Sequence, residues 1–266
     1  MGMQIIVCIK QVPDTAEIKR VQINPETGTI IREGIPSVVN PLDEYALEEA
    51  VRIKEKQGGK VTVLSMGPAQ AEDALRKGLS MGADEAILLC DRAFAGADTL
   101  ATAYTLSAAI KKIGRFDLIL CGQQAIDGDT GQVGPSLAEQ LHVPQVTYVN
   151  RVEIEGQNLR VRREVEGGYE ELHCPLPALL TVVKGINEPR IPTFSSLAEA
   201  MEREIHIWTA GDLGAEADRL GLEGSPTWVV RIWTPEVRRN GQVIENSPAE
   251  AAQKLASFLK QKGILS

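Results

Sequence analysis

The sequence predicts an α/β domain whose parallel sheet is covered by helices on both faces. Three observations carry this. Short apolar runs alternate with segments of helical period up to about residue 141, in the order strand, helix, strand, helix. The first run, Ile5 to Lys10, is hydrophobic on both faces, as a strand buried under two helical layers requires. A later one, Phe116 to Cys121, ends at Gly122 in a glycine-rich turn, and a new helical period follows.

Taken in order, Ile5 to Lys10 is the first strand, and Gln11-Val12-Pro13 opens a loop. Val21 to Arg32 alternates around Asn24-Pro25-Glu26-Thr27-Gly28 and predicts a β-hairpin off the main sheet. Asn40-Pro41-Leu42-Asp43 begins a helix to about Gln57, with Asn40 as N-cap, Pro41 at the first helical position and a buried stripe through Leu42, Ala46, Leu47, Ala50, Val51 and Ile53. Lys60 to Ser65 is a strand, Met66-Gly67-Pro68 its exit turn, and Ala69 to Met81 a helix. Glu85 to Leu89 is the next strand, Asp91 to Asp98 a loop of small residues, and Thr99 to Ile113 a helix. The strand at Phe116 and a helix after Asp129 and Thr130, both natural N-caps, complete the alternating run.

After Pro144 the period changes. Val146 to Ile154, Leu159 to Glu164 and Glu170 to Cys174 alternate between turn residues and predict an antiparallel meander, and Ala178 to Val183 predicts a strand returning to the main sheet. Asn187 to Ser196 reads as an exposed loop whose large apolar residue, Phe194, either folds back on its own domain or serves docking. From Asp212 the chain reads as an extension: a short helix to about Leu220, a strand Trp228 to Trp233 and an amphipathic helix Ala249 to Leu259. The expected division is therefore an α/β domain over 1–211 and a C-terminal arm over 212–266, with Trp228 and Trp233 as docking residues.

Composition narrows the function. A net charge of −8 without a Lys/Arg cluster argues against nucleic acid, and no apolar run reaches the length of a membrane span. A start that reads as a strand, with neither basic residues nor a small-residue cleavage site, points to the cytoplasm. Cys8, Cys90, Cys121 and Cys174 are scattered through apolar strands, and with no C-x-x-C spacing they read as free core thiols, so no metal is expected. His142, His173 and His206 are equally dispersed, and no nucleophile-base grouping follows from spacing, so no catalytic residue is assigned.

The informative stretch is Leu118 to Ser136. Gly128 and Gly131, with Gly134 in the first helical turn, would let backbone N–H groups approach an anion at a helix N-terminus. The spacing is G-x-x-G-x-x-G, and no Gly-Lys-Ser/Thr follows, so neither the dinucleotide fingerprint nor the P-loop is present. Asp127 and Asp129 would have to turn away from a phosphate. On spacing alone a plain turn and a phosphate cradle stand level. In a parallel sheet, ligands bind outside the carboxyl ends of the strands. The loops Cys8 to Pro13, Met66 to Pro68, Asp91 to Asp98 and Gly122 to Gly131 then face one crevice, with the helix start at Asn40 as a further wall.

The blocks VCIKQVPD, NPLDEYALEEAVRIKE, VLSMGPAQAEDALRKGLSMGADEA, LILCGQQAIDGDTGQVGP and PALLTVVKGINEPR, in this order over most of the chain, resemble the β subunit of electron-transfer flavoprotein. The resemblance implies a Rossmann-like sheet of the adenine-nucleotide-binding type, with an antiparallel addition and a C-terminal extension. It also implies a heterodimer with an α subunit that carries FAD. Carried onto this sequence, the nucleotide site would be Cys8; Asn40, Pro41, Leu42 and Asp43; and Met66. Its main wall would be Gly122, Gln123, Gln124, Ala125, Ile126 and Asp127, continuing through Gly128, Asp129, Thr130, Gly131, Gln132 and Val133. Ordinary members hold AMP there. The loop Asp91 to Thr102 and the DGDT of Asp127 to Thr130 look like the electron-bifurcating branch, in which the site holds a second FAD and NADH binds nearby. Gly96 and Ala97 would give a flavin room, with Asp98, Thr99 and Thr102 beside it. Ferredoxin or flavodoxin would then be the low-potential acceptor. The family's dehydrogenase-recognition segment matches Arg190 to Glu199, with Phe194 or Leu197 as apolar anchor, and the partner would be a flavin dehydrogenase such as an acyl-CoA type. Relatives rich in lysine after the anchor differ from this chain, which has Glu199, Glu202 and Glu204 opposed by Arg203. The readings held against this one are an AMP-binding β subunit and, from another class, an adenine-nucleotide sensor of similar fold.

Overall fold

The computed structural model describes residues 2–14, 22–23, 30–31, 36–230, 241, 243–245 and 247–265. The chain divides into two units, Met1–Val230 and Arg231–Ser266. In the first, β1 (Met3–Cys8) is followed by β2 (Gln11–Pro13), β3 (Gln22–Ile23), β4 (Ile30–Ile31) and β5 (Ser37–Val39). Then come α1 (Pro41–Gln57), β6 (Gly59–Met66), α2 (Glu72–Ser80), β7 (Glu85–Leu89), α3 (Thr99–Ile113), β8 (Leu118–Gly122) and α4 (Val133–Leu141). The second half holds β9 (Gln145–Glu155), β10 (Asn158–Val165), β11 (Gly168–Pro175), β12 (Ala178–Val182), α5 (Phe194–Glu202), β13 (Ile205–Trp208) and α6 (Ala210–Leu213). Among the described residues of the second unit, α7 (Pro248–Gln261) is an amphipathic helix with a capping box of Ser247 and Glu250. No helix among the described residues is long and apolar enough to cross a membrane.

Nine strands form one sheet in the order β11-β10-β9-β12-β8-β1-β6-β7-β13. The strands from β12 to β13 are parallel, and β9 joins β12 in parallel before running antiparallel to β10. From β1 the chain moves outward to β6 and β7, then returns across β1 to β8 and β12. The order reverses between β1 and β8, and that gap is the topological switch point at which such sheets open a crevice.

Alternation along each strand feeds two cores. Ile5, Val7, Val61, Val63, Leu118 and Leu120 pack with α1 and α2 on one face. Ile6, Leu64, Ile87, Leu89, Ile119 and Leu179 pack with α3 and α4 on the other. These strands read as continuous apolar runs because both faces are buried. Cys8, Cys121 and Cys174 are buried, Cys90 is half-buried, and none is in a disulfide.

The hairpin is present as β3 and β4, although its turn lies outside the described residues. Several expected elements differ. Residues 69–71 form a 3-10 turn before α2, so the expected helix begins later. The strand placed at Phe116 starts at Leu118, since the Asp117 side chain accepts the Gln4 N–H at 2.8 Å before pairing begins. The helix after the glycine loop begins at Val133, three residues beyond Thr130, because Asp129 (φ 54°) and Gly131 (φ 62°) adopt left-handed backbone that no helix accommodates. Phe194 opens a helix capped by the Thr193 side chain, where a loop was expected. β13 is an added edge strand, hidden from sequence reading by His206 and a length of four residues. Residues 228–230 are irregular, not a strand, and Trp233 lies outside the described residues. Residues 212–230 pack with the sheet domain through Leu220, which is buried.

Candidate functional site

A cavity of about 570 Å³ opens over the carboxyl ends of β8, β1, β6 and β7, on both sides of the switch point. Across four strands it spans three spacings, roughly 14 Å. Its floor is Cys8 and Cys121, register partners on adjacent strands. The hydrogen bond to Cys8, together with burial, holds the Cys121 thiol well above its ordinary range. The Cys121 thiol is therefore a poor nucleophile but compatible with an apolar ligand above it.

The wall on the β8 side is the loop of residues 122–131, and two buried side chains fix it. Asn40 was expected to cap α1, but its side chain makes no cap bond. Its Nδ2 donates to Gln124 O at 2.9 Å, and its Oδ1 accepts the Ile126 N–H at 3.1 Å. It is fully buried and holds the loop by both of its polar atoms. Asp43, one turn later, accepts the N–H of Lys10 at 2.7 Å and of Gly122 at 3.1 Å. Burial pushes its carboxyl up to about 7, against hydrogen bonds from Asn40, Lys10 and Gly122 that favour the ion. Gly122 must be glycine, because a Cβ there would stand 2.4 Å from Asp43 Oδ1 and 2.7 Å from the Leu42 carbonyl carbon. Asn40, Pro41 and Leu42 stay behind the wall, as do Ile126 and Asp127, whereas Asp43 reaches the cavity.

Both acidic residues of the loop have side-chain partners, and of the two only Asp129 lines the cavity. Asp127 Oδ1 pairs with Lys10 Nζ at 2.7 Å, and the Asp129 carboxylate accepts from Gln124 Nε2. Gln123, also buried, accepts the Tyr148 N–H and the Thr181 hydroxyl, which ties the loop to β12 and β9. Residues 128–134 all line the cavity, and three of them are glycines. Gly128 has open space where a Cβ would project, while at Gly131 a Cβ would meet Gln123 Nε2 at 3.3 Å.

Two helix N-termini converge here. At α3, Asp98 Oδ1 accepts the N–H of Leu100 (2.9 Å) and Ala101 (3.1 Å), a strong cap. At α4, Gln132 makes no cap bond, and its Oε1 instead accepts from the Thr99 hydroxyl at 3.0 Å. No Gln132 side-chain bond caps α4, and its first two residues, Val133 and Gly134, line the cavity, so the positive end of the helix dipole lies at the cavity wall. Gly134 lets that turn sit close to β12, where a Cβ would lie 2.4 Å from Thr181 Cγ2. An uncapped helix start beside a glycine-rich loop is an arrangement suited to an anion.

On the β7 side the lining turns apolar and small: Met66, Phe94, Gly96, Ala97 and Leu106, with the hydroxyls of Thr99 and Thr102. The geometry thus offers an anion cradle at one end and an apolar chamber at the other, within the ordinary volume range of about 300–1,000 Å³ for ligand sites. Cys8, Asp43, Met66, Asp98, Thr99, Thr102, Gly122 to Ala125 and Gly128 to Val133 are brought together around it. Sequence reading missed Lys10, although it lies in a loop already placed at the crevice. It also missed Thr227 and Val229, which no motif marks.

Comparison with known proteins follows this geometry. The family description "Electron transfer flavoprotein domain" matches residues 27–213. The chain is 55% identical to the electron transfer flavoprotein subunit beta of Thermoanaerobacterium thermosaccharolyticum, over 99% of this chain and all of that one. This chain belongs to the electron transfer flavoprotein β-subunit family. It is also 50% identical to the caffeyl-CoA reductase-Etf complex subunit CarD of Acetobacterium woodii, over 99% of this chain and all of the relative. Protein FixA of Azorhizobium caulinodans is 46% identical over 94% of this chain and 92% of its own length. The Rossmann-like sheet that the resemblance implied is the sheet observed.

The segment that the resemblance assigns to dehydrogenase recognition is exposed in this chain. Ile191 (91%), Phe194 (95%), Leu197 and Met201 form an apolar stripe on and before α5. Arg190, placed with this segment by resemblance, turns inward. Its Nε lies 2.8 Å from Glu48 Oε2 and its Nη1 2.6 Å from Glu55 Oε1, and both carboxylates push its pKa up. At the other end of α5, Arg76 Nη1 donates to Ala200 O at 2.7 Å. The stripe is thus presented on a helix braced against α1 and α2.

Proposed function

We propose that the chain is the β subunit of a cytoplasmic heterodimeric electron-transfer flavoprotein that holds FAD in the strand-end cavity. In this role NADH is the donor, and electrons divide between the α-subunit flavin and a low-potential acceptor such as ferredoxin or flavodoxin. The observation that carries the FAD reading is the extent of the cavity, from the uncapped start of α4 to the small and apolar lining at Phe94, Gly96 and Ala97. A mononucleotide needs only the first part. FAD supplies the electron-transfer chemistry when bound. The chain's own contribution is to bind and orient. The N–H groups at Gly131 and the start of α4 would take the diphosphate, Thr99 and Thr102 would offer hydroxyls, and Cys8 and Cys121 would form the floor. Lys10 neutralises Asp127, which removes one source of repulsion toward an anion in the cradle.

The stripe at Phe194 and Leu197 suits transient docking of a flavin dehydrogenase of acyl-CoA type. A relative named for a caffeyl-CoA reductase complex supports that class of partner. The acidic run at Glu199, Glu202 and Glu204 would favour a basic rim on it. Releasing the cofactors of the copurified heterodimer by denaturation and counting them tests the reading. Two FAD per heterodimer are expected, and one FAD with one AMP would replace the second flavin by a structural nucleotide.

A further inference from the structure

Residues 220–229 follow the matched family region and are laminated onto the loop that ends at Asp98. Gly221 (φ 51°) comes so close that a Cβ would stand 2.3 Å from Ala93 O. Leu222 N–H donates to Ala95 O at 3.0 Å. A Cβ on Gly96 would meet Leu222 Cβ at 3.1 Å. Beyond this contact the strap is held by one residue, Asp98, through its backbone N–H and its carboxylate. Asp98 N–H donates to Ser225 Oγ at 2.8 Å. Thr227 donates to Asp98 Oδ2 through its N–H at 3.1 Å and its hydroxyl at 2.8 Å. The other oxygen, Oδ1, caps α3, so both oxygens are used. Burial works to raise the Asp98 pKa, but the bonds from Ala101, Thr227 and Leu100 outweigh it and keep the group ionised.

This attachment brings Thr227 and Val229 to the cavity lining. Val229 and Trp228 are 68% and 69% exposed, so folding gains little from placing them there. A segment held by polar bonds at a partly exposed carboxylate opens more readily than one held by a core. We propose that Gly221–Val230 is a wall of the FAD site, latched by Asp98, that contacts bound FAD through Thr227 and Val229 and limits its release. This rests on the reading of the cavity as an FAD site.

The test uses the full chain loaded with FAD and compares wild type with the Thr227→Val, Ser225→Ala double variant and with Asp98→Asn. Asparagine keeps a cap acceptor for α3 and presents an amide to the Thr227 donors, so it breaks the latch by a different route. Losing hydrogen bonds to a charged group predicts FAD release about ten- to a hundredfold faster in both. Bound FAD should also slow amide exchange over 225–230 in the wild type and not in the variants. Wild-type release rates in both variants, or exchange over 225–230 that bound FAD leaves unchanged, would overturn the latch while the cavity reading stands. A wild-type chain that takes up no FAD overturns both.

Discussion

Replacing Asn40 with alanine deletes both hydrogen bonds that hold the glycine loop from behind. The side chain is fully buried, so no bulk water is at hand to replace it for Gln124 O and Ile126 N–H. Two lost bonds at about 1 kcal/mol each, plus the partly unmet desolvation of the two backbone groups, give a loss of about 2–4 kcal/mol. For a domain of this size that is a fall of about 5–15 °C in the thermal midpoint, read by circular dichroism. With the loop no longer preorganised, FAD affinity should fall about tenfold, read by titration of flavin fluorescence. Asn40→Asp separates this role from helix capping. Aspartate is as good an N-cap as asparagine but lacks the donor for Gln124, so a capping role predicts no loss and the clamp predicts a partial one. If Asn40→Ala melts within about 1 °C of wild type and binds FAD equally well, the clamp carries nothing and the reasoning fails.

Other outcomes follow from the same geometry. Gly131→Val puts a β-branched residue at φ 62° beside Gln123, and should abolish FAD retention on gel filtration while the sheet's circular dichroism persists. Asp43 makes stability fall as pH rises. Its folded pKa of about 7 lies above the unfolded value, so the native state binds the extra proton between roughly pH 4 and 7. Urea midpoints should decline across that window and flatten above it, and Asp43→Asn should remove the slope. Arg190→Ala removes the guanidinium from the buried Glu48 carboxylate, which keeps the residue-190 N–H and Arg52, and should cost about 1.5–3 kcal/mol in urea unfolding, a loss that a purely partner-facing arginine would not show. Phe194→Asp should leave the urea midpoint within about 0.5 kcal/mol of wild type, since the ring is 95% exposed. The same change should weaken dehydrogenase binding at least tenfold by calorimetry.

The parallel core was legible because Ile5, Val7, Leu118 and Leu120 must face a core on every strand, and period alone reports that. The crevice was legible for the same reason, since strand order and direction decide which loops meet. Asn40 stands at the N-cap position as its sequence context predicts, but the use of its side chain was not legible, because the groups that bind it, Gln124 O and Ile126 N–H, lie far along the chain and approach only in the folded sheet. The start of α4 was placed too early because Asp129 and Thr130 are good caps in isolation. The left-handed backbone at Asp129 and Gly131 is imposed by the loop's closure onto Asn40 and Gln123. Arg190 was placed by resemblance in the partner-recognition segment, and its inward pairing depends on Glu48 and Glu55, which α1 brings from a distant part of the sequence. Thr227 and Val229 had no signal at all. Their place depends on Gly221 passing close to Ala93, a contact that composition does not encode.

A crystal structure of the full chain grown with FAD bears most directly on the claim that the gap between β1 and β8 is the nucleotide site. The account predicts the diphosphate against the N–H groups of Gly131 and the first turn of α4, with the isoalloxazine reaching toward Phe94 and Gly96. Phosphates held away from α4, with this cavity filled by solvent, would contradict it.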